Sequence, residues 1–187
     1  MGAALAAIYQ KTSIRFNYAN GQARRMANEK PHGRALRRGR YSESGRAYLV
    51  TAACMGRHPV FSNARLGTVV AEELKLSDRA GKTSTYAYVV MPDHIHWLFQ
   101  LCSEESLSSV VRHVKGHSSY RINQLRKSSG AVWQKGFHDR CVRAEESLED
   151  LGNYVILNPV RAGLVEAIDD YPLWDMLWKR HLSRNRG

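Results

Sequence analysis

Apolar and polar positions alternate along the middle of the chain in two periods, one typical of strands and one typical of helices. Residues 47–54 (AYLVTAAC), 84–91 (STYAYVVM) and 94–102 (HIHWLFQLC) are short runs of strand-forming side chains, and a Pro-Asp turn joins the last two into a hairpin. Residues 64–76 lie between the first two runs and place apolar side chains at helical spacing. This region therefore predicts the order strand, helix, strand, strand.

The pattern continues through the second half of the chain. Residues 106–126 show the spacing of an amphipathic helix, and a short strand is predicted at 138–143. Residues 147–157 form a further helix that opens with Ser147 and Asp150 at the spacing of a helix N-terminal cap. Pro159 prevents this helix from simply continuing. The order β-α-β-β-α-β, followed by one more helix, predicts an α+β fold. We expect a ferredoxin-like antiparallel sheet with helices packed on one face.

Charge is concentrated at the two ends of the chain. Lys and Arg number 28 against 17 Asp and Glu, which gives a net charge of +11 over 187 residues. Residues 1–46 contain ten basic and two acidic side chains, and the segment after Trp178 contains four basic side chains and no acidic one. We therefore expect a basic irregular arm (1–45), a near-neutral folded domain (46–178) and a basic tail (179–187).

A net positive charge of this size indicates a polyanionic partner, either nucleic acid or an anionic membrane surface. Basic arms can hold a phosphate backbone without reading its sequence. The expected phosphate contacts are four arginines of the arm and one lysine of the second predicted helix: Arg34, Arg37, Arg38, Arg40 and Lys115. Two solvated ends that keep the protein dissolved are the alternative interpretation of the same charge.

Other features of the composition bear on the compartment. No run of 18 or more apolar residues occurs, so a membrane-spanning helix is not expected. The three cysteines are widely spaced and form no CxxC pair, which predicts neither a disulfide framework nor a structural zinc site. The short apolar start lacks the features of a secretory signal. A reducing cytoplasm is the expected location.

Two histidines share one face of the third predicted strand. Alternate side chains of a strand point to opposite faces, so His94 and His96 stand together while Ile95 and Trp97 point to the core. Two imidazoles at this spacing can bind one divalent cation, which would polarise a phosphodiester oxygen. Two ordinary histidines are the alternative, because a two-residue motif is weak evidence. The preceding Asp93 is typical of a turn.

A tyrosine and an asparagine form a second candidate group. Tyr154 and Asn158 are four residues apart and therefore lie on one face of the last predicted helix. A tyrosine hydroxyl can act as a covalent nucleophile, and an asparagine carbonyl oxygen can ligate a metal. The residues alone equally permit Tyr154 to pack at a helix edge and Asn158 to cap the helix. Tyr120, on the preceding helix among basic side chains, is a second candidate nucleophile.

Three segments in this order and spacing carry a resemblance to a known family. YVVMPDHIHWLFQL, VWQKGFHDRCVR and YVILNPVRAGLV resemble the REP-associated tyrosine transposases, relatives of the single-tyrosine IS200-type transposases of the HUH nuclease superfamily. The resemblance runs from about residue 37 to about residue 174. The combination of HIH after a strand with Tyr-x-x-x-Asn-Pro about 60 residues later is far more specific than either piece alone.

The resemblance assigns roles to the candidate residues. It implies that His94 and His96 are the HUH pair, that Tyr154 is the nucleophile, and that Asn158 replaces the metal-ligating Gln usual in the relatives. It also implies a divalent metal, Mg²⁺ or Mn²⁺, and a transposase-like reaction. The tyrosine oxygen would attack a single-stranded DNA phosphate beside a REP-type hairpin, leaving a 5′-phosphotyrosine and a free 3′-hydroxyl. A second strand's hydroxyl would reverse the attack and join the ends.

Two other functions fit the same residues. One is a hairpin DNA-binding protein without catalysis, and the other is a metal phosphodiesterase that uses activated water and leaves Tyr154 structural. Four residues before and at the fourth strand are candidates for contacts with unpaired bases: Trp133, Gln134, Phe137 and His138. Trp133 is more typical of a core anchor. By resemblance we expect a bacterial, nucleoid-associated monomer with no membrane contact, rather than a dimer with exchanged tyrosine helices.

Overall fold

The computed structural model describes residues 42–178 of the chain. Within this range, five strands form one antiparallel sheet: β1 (Ala47–Ala53), β2 (Thr83–Met91), β3 (His94–Leu101), β4 (His138–Cys141) and β5 (Trp174–Met176). Their order across the sheet is β4-β1-β3-β2-β5. The α-helices in the same range are α1 (Ala64–Arg79), α2 (Leu107–Arg126), α3 (Leu148–Ile156) and α4 (Asn158–Arg161). The arginines predicted as phosphate contacts in the arm, and the basic tail, lie outside the described residues.

The predicted α+β fold and the order β-α-β-β-α-β are confirmed, and α3 is the further helix. The structure adds two short elements that periodicity does not mark. α4 is a single turn that begins at Asn158, with Pro159 in its first turn, where a proline needs no N–H partner. β5 has three residues and pairs with the outer edge of β2. None of the helices in the described part of the chain is long and apolar enough to cross a membrane.

β3 is the central strand, because β1 and β2 pair with its two edges. Its alternation places Ile95, Trp97 and Phe99 in the core, where each is at most 1% exposed. The rings of Trp97 and Phe99 are stacked with centroids 3.8 Å apart, and the Trp97 Nε1–H donates a hydrogen bond of 2.9 Å to Thr85 Oγ1. This apolar face fixes the strand, and it therefore fixes the orientation of the histidines on the other face.

α1 and α2 pack against each other. Asn63 caps α1 by accepting a hydrogen bond of 3.1 Å from the Arg65 backbone N–H. At the contact, Arg121 of α2 donates a hydrogen bond of 2.9 Å to Glu73 of α1, whose side chain is only 4% exposed. The ion pair compensates the burial of that carboxylate, so it belongs to the helix interface.

Both faces of the sheet are covered where β2 ends, because the last five residues of this strand are all buried. On one face, α3 lies over Ala87: a Cβ atom placed on Gly152 of α3 would be 3.6 Å from the Ala87 Cβ. Ala87 pairs with Leu98, which shares a face of β3 with His94 and His96. α3 therefore lies on the face that carries the two histidines, which we call the histidine face.

Candidate active site

The two histidines of β3 converge on one point. Nε2 of His94 lies 3.1 Å from Nε2 of His96, and the two rings are nearly perpendicular, at 89°. Nitrogen ligands of one cation, bound at about 2.0–2.1 Å, stand about this far apart. Within residues 42–178, no third His, Cys, Asp or Glu completes a three-residue group around them. The geometry of the pair therefore fits two ligands of one divalent cation.

The other ring nitrogen of each histidine is held by a neighbouring side chain. Nδ1–H of His94 donates a hydrogen bond of 2.5 Å to Asp93 Oδ1, and Nδ1 of His96 lies 2.9 Å from Thr51 Oγ1. Thr51 is opposite His96 in the register of β1 and β3, which explains the contact. Partners at Nδ1 orient imidazoles so that Nε2 is presented to a metal. Asp93, interpreted from the sequence as a turn residue, is therefore also part of the candidate site.

Burial and charge set the protonation of this group. Burial, with the positive charges of His94 and Arg161, lowers the pKa of His96 to about 3, so this imidazole is neutral at pH 7 and keeps a lone pair for a metal. Burial raises the pKa of the Asp93 carboxyl, but the hydrogen bond from His94 and the positive charges of His94 and Arg57 outweigh it and give a net lowering. Asp93 therefore stays a carboxylate beside His94.

Tyr154 lies on α3 and is 53% exposed. Ser147 begins this helix as predicted, accepting a hydrogen bond of 3.2 Å from the Asp150 backbone N–H. α4 follows α3, and its Arg161 guanidinium lies 4.0 Å from the centre of the Tyr154 ring and donates a hydrogen bond of 2.5 Å to the Tyr154 carbonyl oxygen. In the part of the chain that the structure describes, the Tyr154 hydroxyl makes no hydrogen bond.

Arg161 links the tyrosine to the histidine pair. Its guanidinium covers the Tyr154 ring, and its charge is among the causes that lower the pKa of His96. The guanidinium is therefore within electrostatic reach of both groups. No role was predicted for this arginine from the sequence, although it lies within the YVILNPVRAGLV segment. Arg161 lies seven residues after Tyr154, and helical backbone hydrogen bonds continue through α4, so the two side chains share one face.

Asn158 is half-buried at the end of α3. Its Nδ2 donates hydrogen bonds of 2.9 Å to the Val155 carbonyl and 3.3 Å to the Tyr154 carbonyl. The amide thus caps the last turn of α3, which was the alternative role considered for this residue. The side-chain oxygen of Asn158 is the atom that a metal would use.

The other candidate residues are distributed around this group. Tyr120 is 67% exposed on α2, the helix that packs against α1, whereas α3 is the helix on the histidine face. Trp133 is 4% exposed and donates from Nε1 to Ser118 Oγ at 3.0 Å, which confirms it as a core anchor. His138 pairs with Thr51 in the register of β4 and β1, so it points to the histidine face.

Lys115, predicted as a phosphate contact, holds the loop that contains Gln134 and Gly136. Its ammonium donates hydrogen bonds to the carbonyl oxygens of Gln134, at 2.8 Å, and Gly136. Burial lowers the pKa of Lys115 to about 8. Two of its three N–H groups are therefore used inside the protein, and one remains for a ligand.

The chain is similar in sequence to a family of known proteins and to two curated proteins. The family described as "Transposase IS200 like" matches residues 44–157, which include both histidines and Tyr154. A curated Haemophilus influenzae protein named as a REP-associated tyrosine transposase is 26% identical over 98 residues, 47% of this chain and 56% of its own. The REP-associated tyrosine transposase of Escherichia coli is 26% identical over 87 residues, 46% of this chain and 50% of its own.

The chain thus spans about half the length of the curated relatives it matches. A solved structure of a REP-associated tyrosine transposase bound to a REP hairpin superposes with a TM-score of 0.63 at 21% identity. The match covers 78% of this chain and 84% of that chain. The likeness shows that the two proteins share a fold. Because the family match extends over more than half of its residues, the chain belongs to the IS200-like transposase family.

Proposed function

We propose that this protein is a metal-dependent, single-tyrosine strand transferase that cleaves and rejoins single-stranded DNA beside REP-type hairpins. The observation that carries the proposal is the convergence of the two Nε2 atoms, 3.1 Å apart, on the face covered by the tyrosine helix α3. Membership of the IS200-like family supports it. The named substrate of the structural relative, a REP hairpin, supplies the substrate class.

His94 and His96 would hold the divalent cation, Mg²⁺ or Mn²⁺, and the side-chain oxygen of Asn158 is the proposed third ligand. When bound, such a cation supplies charge neutralisation and polarisation of a phosphodiester oxygen. Asp93 and Thr51 keep the imidazoles aimed during the reaction through their contacts at Nδ1. The protein therefore presents an oriented pair of ring nitrogens before DNA arrives, and that of His96 is neutral.

Tyr154 is the proposed nucleophile. Its oxygen would bond to the phosphorus while the bond from phosphorus to the 3′ oxygen breaks, which leaves a 5′-phosphotyrosine and a free 3′-hydroxyl. The phenol gives up its proton, and the departing 3′ oxygen takes one up. The phosphotyrosine conserves the free energy of the broken phosphodiester bond. A 3′-hydroxyl of another strand can therefore reverse the step without an outside energy source.

Arg161 is a proposed positioning residue for this step. Its guanidinium covers one face of the Tyr154 ring at 4.0 Å and anchors the backbone of the same residue. A cation in this place favours the negative charge that develops on the phenol and on the phosphate. Contact with Arg161 also restrains the Tyr154 ring, and this restraint helps to align the phenol oxygen with the phosphorus.

Hairpin DNA with an unpaired flank is the proposed partner, and the arginines of the arm are its proposed backbone contacts: Arg34, Arg37, Arg38 and Arg40. We propose that the protein acts as a monomer, and that it works on chromosomal DNA in the bacterial cytoplasm. A protein that acts on chromosomal repeats would be found with the nucleoid.

A denaturing gel tests the proposed reaction. Wild type and Tyr154→Phe are incubated with 3′-end-labelled single-stranded DNA that carries a REP-type hairpin, with Mg²⁺ or with EDTA. We expect protein-linked label only for wild type with Mg²⁺, because Phe lacks the hydroxyl but keeps the ring beneath Arg161. Tyr120→Phe is the matched control and should form the adduct as wild type does.

The other two functions give different patterns on the same gel. Cleavage that persists in Tyr154→Phe without linked label would assign the reaction to metal-activated water. Hairpin binding without cleavage by wild type, over a set of REP-type hairpins, would assign the protein to the non-catalytic class.

A further inference from the structure

The proposed cleavage step uses a proton that neither the histidine pair nor Tyr154 supplies. A 3′ oxygen that departs as an alkoxide is a far poorer leaving group than one that takes up a proton as its bond to phosphorus breaks. The Nε2 atoms of His94 and His96 face each other at 3.1 Å and are assigned to a cation, and the tyrosine is the attacking group. A donor for the departing oxygen therefore has to come from elsewhere on the protein.

The histidine face is covered on one side of the pair and open on the other. Val89 of β2, which is opposite His96, is completely buried, and α3 packs on β2 and on its neighbours β3 and β5. On the other side of β3, every histidine-face residue of β1 is partly exposed: Ala47, Leu49, Thr51 and Ala53. A DNA strand bound at the pair therefore has its open approach over β1 and β4.

The direction of attack places the departing oxygen over this open half. Substitution at phosphorus keeps the attacking and departing oxygens roughly in line, on opposite sides of the phosphorus atom. Tyr154 belongs to α3, which packs on the β2 side of the pair. An attack from α3 directs the departing 3′ oxygen away from β2 and toward β1 and β4. The donor is therefore expected on the histidine face of those two strands.

One polar side chain on that part of the face is free. The polar residues there are Thr51 of β1 and His138 and Arg140 of β4. Thr51 Oγ1 lies 2.9 Å from Nδ1 of His96, and Arg140 donates hydrogen bonds of 2.7 Å to both carboxylate oxygens of Glu146. His138 is exposed, and its ring makes no hydrogen bond or ion pair with any residue of the range 42–178. An imidazole exchanges a proton near neutral pH, whereas a guanidinium does not.

His138 lies two strands away from the pair, in the same row of the sheet. It is opposite Thr51 on β1, and Thr51 is opposite His96 on β3. Neighbouring strands are about 4.8 Å apart, so the Cα atoms of His96 and His138 are separated by about 10 Å. His138 does not form a three-residue ligand group with the pair. The gap admits a phosphodiester held at the pair, with its departing oxygen on the His138 side.

We propose that His138 is the general acid of the cleavage step and protonates the 3′ oxygen as its bond to phosphorus breaks. The imidazolium N–H gives its proton to that oxygen, which leaves a 3′-hydroxyl and a neutral imidazole. In the joining step, the same imidazole takes the proton from the attacking 3′-hydroxyl. The proposal rests on the proposed function, because it assumes attack by Tyr154 on a phosphodiester. It differs from the contact with an unpaired base that the sequence predicts for His138.

A substrate with sulfur in place of the departing 3′ oxygen tests the proposal. A thiolate leaves without a proton, because the pKa of a thiol is about 8.5 and lies far below that of an alcohol. Single-turnover cleavage of natural and sulfur-substituted hairpin DNA is measured in Mn²⁺ for wild type and His138→Gln. We expect His138→Gln to lose about 10²-fold in rate on the natural substrate and less than about threefold on the sulfur substrate. Equal losses on the two substrates, or no loss on the natural one, would overturn the proposal.

His138→Phe separates proton donation from base stacking. Phe keeps a flat ring that can stack on a base, but it has no proton to give. We expect the same pattern as for His138→Gln, whereas a wild-type rate on the natural substrate would assign His138 to a base contact and contradict the proposal. Because His138 is exposed on the edge strand β4, both variants should unfold at nearly the wild-type temperature.

His58→Gln is the matched control, because His58 is an exposed histidine in the loop that follows β1. It should cleave both substrates at wild-type rates. A loss that sulfur relieves in His58→Gln, but not in His138→Gln, would transfer the role to His58 and overturn the proposal. Failure of wild type to link either substrate to Tyr154 would instead overturn the proposed function, and with it this step.

Discussion

The histidine pair and the tyrosine helix lie on one face of the sheet but are held in different ways. His94 and His96 stand on the central strand, each with a partner at Nδ1, and the His94 side chain is only 13% exposed. Tyr154 is 53% exposed on a nine-residue helix, and the Arg161 guanidinium lies over its ring. The proposed metal ligands are built into the sheet, whereas the position of the proposed nucleophile depends on how α3 packs upon the sheet.

This difference implies that the two halves can be damaged separately. Substitutions at the histidines and their partners should reduce metal binding and cleavage together. Substitutions that shift α3 should reduce cleavage and leave metal binding intact. Each variant below is therefore measured twice, by Mn²⁺ titration without DNA and by single-turnover cleavage of hairpin DNA.

His96→Gln has the largest expected effect. Loss of one of two nitrogen ligands should abolish Mn²⁺ binding in the micromolar range and reduce cleavage by about 10³-fold or more. His113→Gln, on the exposed surface of α2, removes a histidine elsewhere and should bind Mn²⁺ and cleave as wild type does. Normal cleavage by His96→Gln would exclude the pair from the reaction.

Gly152→Ala should separate the two halves. The new Cβ would lie 3.1 Å from Trp178 Cζ3 and 3.2 Å from Met176 Cε, so these side chains or α3 itself must shift by a few tenths of an ångström. We expect cleavage to fall by about 10²-fold, stability to fall by about 1–3 kcal/mol, and Mn²⁺ affinity to stay the same. Gly116→Ala is the matched control, because its Cβ enters open space. A parallel loss of Mn²⁺ affinity in Gly152→Ala would show that the halves are not independent.

Asp93→Asn should affect the metal half through orientation and charge. The amide keeps the shape of the carboxylate but loses the charge that pairs with His94 Nδ1–H. We expect metal affinity to fall by about 10- to 100-fold, with cleavage restored at high Mn²⁺ concentration. Thr51→Val, which removes the neutral partner of His96, should have a smaller effect. Cleavage that high Mn²⁺ does not restore would assign Asp93 a different role.

Arg161→Gln should give the smallest of these changes. A cation over an exposed ring is worth about 0.5–1 kcal/mol, so we expect a loss in cleavage of about two- to fivefold at unchanged Mn²⁺ affinity. Arg161→Lys keeps the charge and should recover part of the loss, which a merely structural role would not predict. Equal rates for the Gln and Lys variants would indicate that the charge is not used.

The sequence was sufficient for the parts of this site that follow a regular period. Alternation along β3 correctly placed His94 and His96 on the face opposite Trp97, because that face of the strand is wholly apolar. Helical spacing correctly placed Tyr154 on a separate helix, and a capping serine correctly placed its start. These features depend only on neighbours within a few residues.

The remaining parts depend on contacts between distant segments. Arg161 reaches Tyr154 because the single turn α4 continues helical structure past Pro159, where the sequence predicts that the helix ends. β5 has only three residues and gains its place from pairing with β2. Lys115 appeared from its charge to be a surface contact, but the loop that folds over it takes two of its hydrogen bonds.

The identity of the residue that becomes linked to DNA tests the central claim most directly. Wild type is trapped with hairpin DNA and Mg²⁺, digested with nuclease and trypsin, and the nucleotide-bearing peptide is identified by mass spectrometry. The account predicts the modification on peptide 144–161, at Tyr154. Modification of peptide 116–121, which contains Tyr120, or recovery of cleaved DNA with no modified peptide, would contradict it.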